Sequence, residues 1–280
     1  MTPFSVAAAA ASLLTALAAV PVTAQSLMVA SPAIVIDDRT RTGSLTLIND
    51  GIEPVEVSVS AFCGHPVTDS IGHMFLRTFE TVDDTMPCAA RWVQSFPRRL
   101  TITPKSRATV RLLVTPPAGL PPREYWARIM AAAKAGQVAV GGLADSSAIQ
   151  ATLSLEIRSV VGLFYRKGTP RTGVLLERLR AGVVGDSLVG RTLLTRQGDA
   201  AFVGSLRAVL RDSSGTVRSE GRLPLGVYYS LEPRFALPVA GLPRGRYELA
   251  VEAVSSRPDL PSGLLLQTVP VQQTVEVIVP

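Results

Sequence analysis

Two cysteines and two histidines are the only soft metal ligands in the 280 residues. That scarcity excludes a four-thiolate zinc site and a multiply bridged miniature scaffold. Aromatic residues make up 5% of the chain and charged residues 18%, which leaves few platforms on which bases or sugars could stack. Beyond the first two dozen residues, no stretch stays free of charge and turn residues for the roughly 20 positions that cross a bilayer. Catalytic signatures are missing too. There is no G-x-S-x-G elbow, Walker-type loop or G-x-G-x-x-G, and Gly141-Gly142 lacks the Lys-Ser/Thr that holds phosphate. Asp37-Asp38 and Asp83-Asp84 are adjacent carboxylates that would point to opposite sides of an extended chain, so neither pair forms a general acid/base couple. The expectation is a protein that is not an enzyme, with no catalytic residue, no cofactor and no resident metal.

What is present is core-forming material: 47% hydrophobic residues, with 22 Gly and 21 Pro to punctuate them. The length suggests about two domains. Lys+Arg number 28 against 22 Asp+Glu. The cations are nearly all arginines spread singly from Arg39 to Arg257, so no nucleic-acid partner is expected.

Residues 1–24 carry no charged side chain and run through Ala and Leu to Val22-Thr23-Ala24, a small-x-small cleavage signal. A cleaved signal peptide over 1–24 is expected, giving an exported chain that does not insert into the membrane. Cys63 and Cys88 then meet an oxidising compartment, where a lone pair usually forms a disulfide. The competing use of Cys63 is a metal site begun by its C-x-H spacing to His65, with His73 and Cys88 as the remaining soft ligands.

Helical periodicity is nearly absent, whereas period-two alternation recurs between Gly, Pro and Asn-Asp-Gly turns. The fold class expected is all-β, two immunoglobulin-like β-sandwich domains in tandem: residues 25–166, then 167–280, with Lys167-Gly168-Thr169-Pro170 at the joint. No sequence repeat relates the halves. Residues 134–147, rich in Gly and Ala, read as a loop. The longest alternating run follows, with Ile149, Ala151, Leu153, Leu155 and Ile157 on one face and polar residues on the other. Such a strand either lines its own core or offers an edge and alternate side chains to a partner's sheet.

A series of motifs in the first half resembles the PapD-like periplasmic pilus-assembly chaperones. It comprises Val29-Ala30-Ser31-Pro32, then Gly43-Ser44-Leu45-Thr46-Leu47-Ile48-Asn49-Asp50-Gly51, Trp92-Val93 before Phe96-Pro97-Arg98-Arg99, Thr109-Val110-Arg111 before Pro116-Pro117, and Leu163-Phe164-Tyr165-Arg166. The second half, with Thr195-Arg196-Gln197-Gly198 and Gly226-Val227-Tyr228-Tyr229, resembles the less typical bacterial "molecular chaperone" relatives. The resemblance implies two angled sandwiches in the periplasm that donate a strand to a secreted β-rich pilin-like subunit, with an outer-membrane usher as a further partner. It places Leu153, Leu155 and Ile157 at the donor positions. The family's carboxylate-anchoring Arg and Lys are replaced here by Ala33 or Ile34 and by Gly162, with Arg158 and Arg166 as the substitutes on offer. The alternative is a structural or adhesive immunoglobulin-like component of an envelope assembly.

Intact-mass measurement of the exported protein is expected to give a chain beginning near Gln25. A mass that retains residues 1–24 would reject the cleavage.

Overall fold

A computed structural model describes residues 27–83, 85–140 and 151–280, with 135–140 and 151–155 described in backbone only. The signal segment 1–24, Asp84, Gly141-Gly142 and Ile149 lie outside the described residues. The first half holds β1 (Leu27–Val29), β2 (Ala33–Asp37), β3 (Thr42–Asn49), β4 (Val55–Thr68), β5 (Met74–Phe79), β6 (Val93–Phe96), β7 (Arg99–Ile102), β8 (Ser106–Val114), β9 (Glu124–Val140) and β10 (Ala151–Arg166). One sheet runs β1-β3-β8-β6; the other runs β2-β10-β9-β4-β5, with β7 also on β4. Alternation explains the packing between them. Leu45 and Leu47 of β3, Val55, Val57 and Val59 of β4, and Val110, Leu112 and Val114 of β8 point inward and are buried, while their neighbours face water.

The second half adds β11 (Thr172–Val184), β12 (Ser187–Gly198), β13 (Phe202–Arg211), β14 (Val217–Val227), β15 (Ser230–Leu231), β16 (Arg234–Pro238), β17 (Gly245–Val254) and β18 (Val271–Val279). Its sheets are β11-β12-β15, with β16 on β12, and β14-β13-β17-β18. They enclose a separate core around Leu188, Leu194, Phe202, Leu210, Leu249 and Val251. Sheet membership changes between Arg166 and Thr172. The all-β, two-sandwich class expected from alternation is the architecture observed. The turn at Asp212 to Gly215 does join a hairpin: the Asp212 carboxylate accepts from the Ser214 and Thr216 N–H groups at 2.9 and 3.0 Å.

One device recurs although no repeat is visible in the sequence. Tyr125 donates its hydroxyl to the Pro121 carbonyl at 2.9 Å, and Tyr247 donates to Pro243 at 2.8 Å, each from near the start of a central strand. A buried phenol needs a partner, and the carbonyl four residues back provides one in both halves. Asn49 does similar work at the β3–β4 turn. Fully buried, it donates through Nδ2 to the Glu53 and Ile102 carbonyls at 2.7 and 3.0 Å and accepts from the Gly51 N–H.

One sequence expectation needs correction, and two elements were not foreseen. Residues 134–140 are not loop but the end of β9, because pairing with residues 151–154 of β10 outweighs the weak strand preference of Ala and Gly. The segment between the cysteines contains a hairpin: β4 leaves β9 after Phe62 and continues with β5 as partner. Strand β11 was not anticipated, its alternation being broken by a register shift between Glu177 and Arg180.

Cys63 and Cys88 are bridged, with Cα atoms 5.9 Å apart. The bond sits where β4 departs: Cys88 takes the vacated place beside Trp126 of β9. Replacing both cysteines by alanine is expected to lower stability by about 3 kcal/mol on the loop-closure argument. A urea midpoint unchanged from wild type would contradict this.

Candidate partner-binding site

β10 is committed on one side and half free on the other. It pairs with β9 along its whole length, antiparallel, from Ala151 opposite Val140 to Arg166 opposite Glu124. Its second edge meets β2, in parallel, only from Gly162 opposite Ala33 to Arg166 opposite Asp37. Among the described residues, no strand pairs with that edge over residues 151–161. Unpaired N–H and C=O groups along such an edge can accept another strand.

The side chains follow the same division. Val161, Leu163 and Tyr165 are buried in the first core, but Ile157, of the same parity, is 38% exposed and Val160 on the other face is 42% exposed. Leu153 pairs in backbone with Val138, and Leu155 sits where the register slips between Ser154 and Glu156. The side chains of both lie outside the described residues.

The two positions left without an anchor in the sequence are neighbours in space, since Ala33 and Gly162 pair directly. A cation does stand there, supplied by a third strand. Arg128 of β9 is the partner of Gly162, and a Cβ on Gly162 would lie 2.8 Å from its Nη1. The glycine leaves the room that the guanidinium occupies. Arg128 is held by donating Nε–H to the Gly64 carbonyl at 3.0 Å and by stacking on Tyr228, its Cζ 5.0 Å from the ring centre. No carboxylate lies within ion-pair distance of it among the described residues. Sequence reasoning missed Arg128 because its position against Gly162 depends on the β9–β10 register, which no local signal gives.

The substitutes named from the sequence stand elsewhere. Arg158 is exposed and pairs with Glu156 at 3.1 Å, four residues or roughly 13 Å along the strand from Gly162. Arg166 is engaged: its Nε–H donates to Glu124 at 3.0 Å and its Nη2 to the Leu264 carbonyl at 2.8 Å.

Glu124 is 1% exposed and also accepts from the Ala201 N–H at 3.1 Å, so this ion pair joins the two sandwiches. Burial pushes the Glu124 carboxyl up, against the guanidinium of Arg166. Beside it, Trp126 and Phe164 of the first sandwich pack on Ala201 and Tyr228 of the second. A second contact lies at the far end of the β4–β5 hairpin. There the Glu232 N–H donates to Thr68 Oγ1 at 3.0 Å, the Arg234 N–H to the Gly72 carbonyl at 2.9 Å, and Arg191 Nη1 to the Ser70 carbonyl at 2.8 Å. Gly72 has φ +88°, and an added Cβ would meet the Arg234 nitrogen at 2.8 Å, so both its conformation and the close approach require glycine.

The metal alternative is not supported by the arrangement: both cysteines are in the disulfide, and the His65 ring lies among aromatic side chains.

Removing one member of the buried pair strands the other. Glu124→Ala is expected to cost about 3–5 kcal/mol, and the double change Glu124→Leu/Arg166→Leu less than either single one. Chemical denaturation of the three variants checks this; single changes within 1 kcal/mol of wild type would contradict it.

No family model matches the chain, and no curated protein matches it. Solved structures of similar course include chaperones, several of them solved with or named for pilus or fimbrial subunits. The YadV chaperone is 15% identical over 89% of this chain and 99% of its own, at a TM-score of 0.46. The Salmonella enterica SafB chaperone, solved with the SafA pilin, is 13% identical over 89% and 96%, at 0.43. The Acinetobacter baumannii CsuC–CsuE chaperone–tip subunit complex gives 13% over 90% and 98%, at 0.43. At these identities and TM-scores the likeness bears on neither the partner nor the site residues of this chain.

Proposed function

We propose that this protein is a non-enzymatic, exported chaperone-like protein. It stabilises a secreted, β-rich pilin-like subunit by lending residues 151–161 of β10 as a strand. The observation that carries the reading is the open edge of β10 over residues 151–161, bonded to β9 on one side and, among the described residues, without a strand on the other. The exposed Ile157 and Val160, and the resemblance of residues 27–166 to the PapD-like chaperones, support it. In this reading residues 25–166 form the donor domain and 167–280 the second wall of the cleft. The periplasm is the working compartment, and an outer-membrane usher receives the loaded subunit.

Leu153, Leu155 and Ile157 supply the apolar contacts, each worth about 1.5–3 kcal/mol when fully buried in a partner. Arg128 takes over the carboxylate anchor. It is positioned, stacked and unpaired with any described carboxylate, and a charge-assisted hydrogen bond to a partner's carboxylate contributes about 1.5–3 kcal/mol. Gly162→Lys does not restore the family arrangement, because the new side chain must displace the Arg128 guanidinium.

Affinity capture from periplasmic extract, with the captured chain identified by mass spectrometry, tests the reading. Leu155→Glu is expected to remain folded by circular dichroism and thermal melt and to lose the subunit, since it buries an unpaired charge in the partner. Arg128→Ala is expected to weaken capture about tenfold to a hundredfold, and Gly162→Lys to weaken it rather than strengthen it. Unfolding of Leu155→Glu would place the residue in the protein's own core. Wild-type capture by the folded variant would move the binding site elsewhere, and a wild-type protein that captures nothing would favour a structural or adhesive module.

A further inference from the structure

His65 lies on β4 just beyond the point where that strand leaves β9, at the base of the hairpin that reaches the second sandwich. Its ring is 7% exposed. It stacks on Phe79 of β5 with centroids 5.1 Å apart and 28° between planes, and on Tyr228 at 5.9 Å and 20°, with Tyr229 at 5.0 Å. Phe79 belongs to the hairpin and the two tyrosines to the second sandwich. The imidazole therefore fills the contact through which the hairpin base touches the second sandwich.

The charges around this ring are all of one sign. Arg128 from β9 stacks on Tyr228, Arg77 from β5 lies 5.4 Å over Phe79, and Arg196 from β12 lies 5.8 Å from the Tyr229 ring centre. The segment between β14 and β15 contributes only the phenols of Tyr228 and Tyr229. None of the three arginines is ion-paired among the described residues. Nδ1 lies 3.1 Å from the Pro66 carbonyl, so the neutral ring donates there. An aromatic face attracts a cation, but each of these three rings already carries a guanidinium.

We infer that His65 is a proton-sensitive latch: neutral, it holds the β4–β5 hairpin against the second sandwich, and protonated, it releases it. This goes beyond the proposed function and does not depend on strand donation. Protonation would put a further cation into a poorly hydrated pocket among arginines, and opening the contact lets water in. Burial is the main cause that holds the ring below its ordinary value of 6.5; the Pro66 carbonyl opposes it, and Arg128 and Arg77 add to it. The closed contact is therefore fully stable above that ordinary value. It loses ground as pH falls from there toward the depressed one, because the open form takes the proton first.

The other groups near the hairpin act differently. The Thr68, Ser70 and Gly72 contacts involve no histidine. His73, at the tip, has a side chain 65% exposed, 3.7 Å from Asp69 and away from the His65 contact.

Two measurements on the full chain test the latch. The chain has two histidines, so each ring can be followed by NMR titration; His65 is expected to titrate below the ordinary value of 6.5. Amide exchange in residues 69–74, corrected for the intrinsic rate, is expected to lose about tenfold protection between roughly pH 7.5 and 5 in wild type and in His73→Gln. In His65→Phe, which keeps the stack, protection is expected to stay constant. An equal loss in His65→Phe, constant protection in wild type, or a His65 titration at or above 6.5 would each overturn the inference. The wild-type titration decides the matter even if His65→Phe fails to fold.

Discussion

The geometry of the molecule rests on a carboxylate that water does not reach. Glu124 begins β9 and its partner Arg166 ends β10, so the pair closes the two longest strands of the first sandwich at the end facing the second. An isolated ionised carboxylate in that position would be costly, and the Arg166 guanidinium together with the Ala201 N–H offsets the cost only when the second sandwich is in place. The Leu264 carbonyl on Arg166 and the packing of Trp126 and Phe164 on Ala201 and Tyr228 extend the same seam. Docking of the second sandwich on the first thus helps to satisfy one buried acid.

That arrangement divides β10 into halves of different character. From Gly162 onward it is covered on both edges and feeds Leu163 and Tyr165 into the core. Before Gly162 no strand covers its second edge among the described residues, and the burial of Val161 gives way to a partly exposed Ile157. One continuous alternating sequence therefore serves the core over only part of its length, and where the core stops determines which of its described residues remain exposed. Gly162 marks the change, and the absence of its side chain lets a cation from the next strand occupy the boundary.

Much of this was legible in the chain itself. Alternation between turn residues reveals an all-β protein because the pleat repeats every two residues whatever lies around it, and a chain with only two cysteines leaves little choice of disulfide partner. The run ending at Ile157 could be found in the same way. Whether its apolar face lines the core or leaves it could not, because Val161 and Ile157 read alike until the sheet's neighbours are known. Arg128 and His65 were out of reach for a related reason: their surroundings come from cross-strand register and from the second sandwich. β11 and the end of β9 escaped because pairing partners, rather than their own residues, hold them in strand conformation.

The hairpin carries a mechanical consequence. Two bodies tied at one place can swing in every direction about it, whereas two bodies tied at separated places can only rotate about the line that joins them. The first tie is the seam at Arg166 and Glu124, and the second is the set of hydrogen bonds from Thr68, Ser70 and Gly72 to the second sandwich. The disulfide at Cys63 fixes the root of the arm that makes the second tie. Because the two ties stand apart, the second resists a twisting of one sandwich against the other that the first alone would permit.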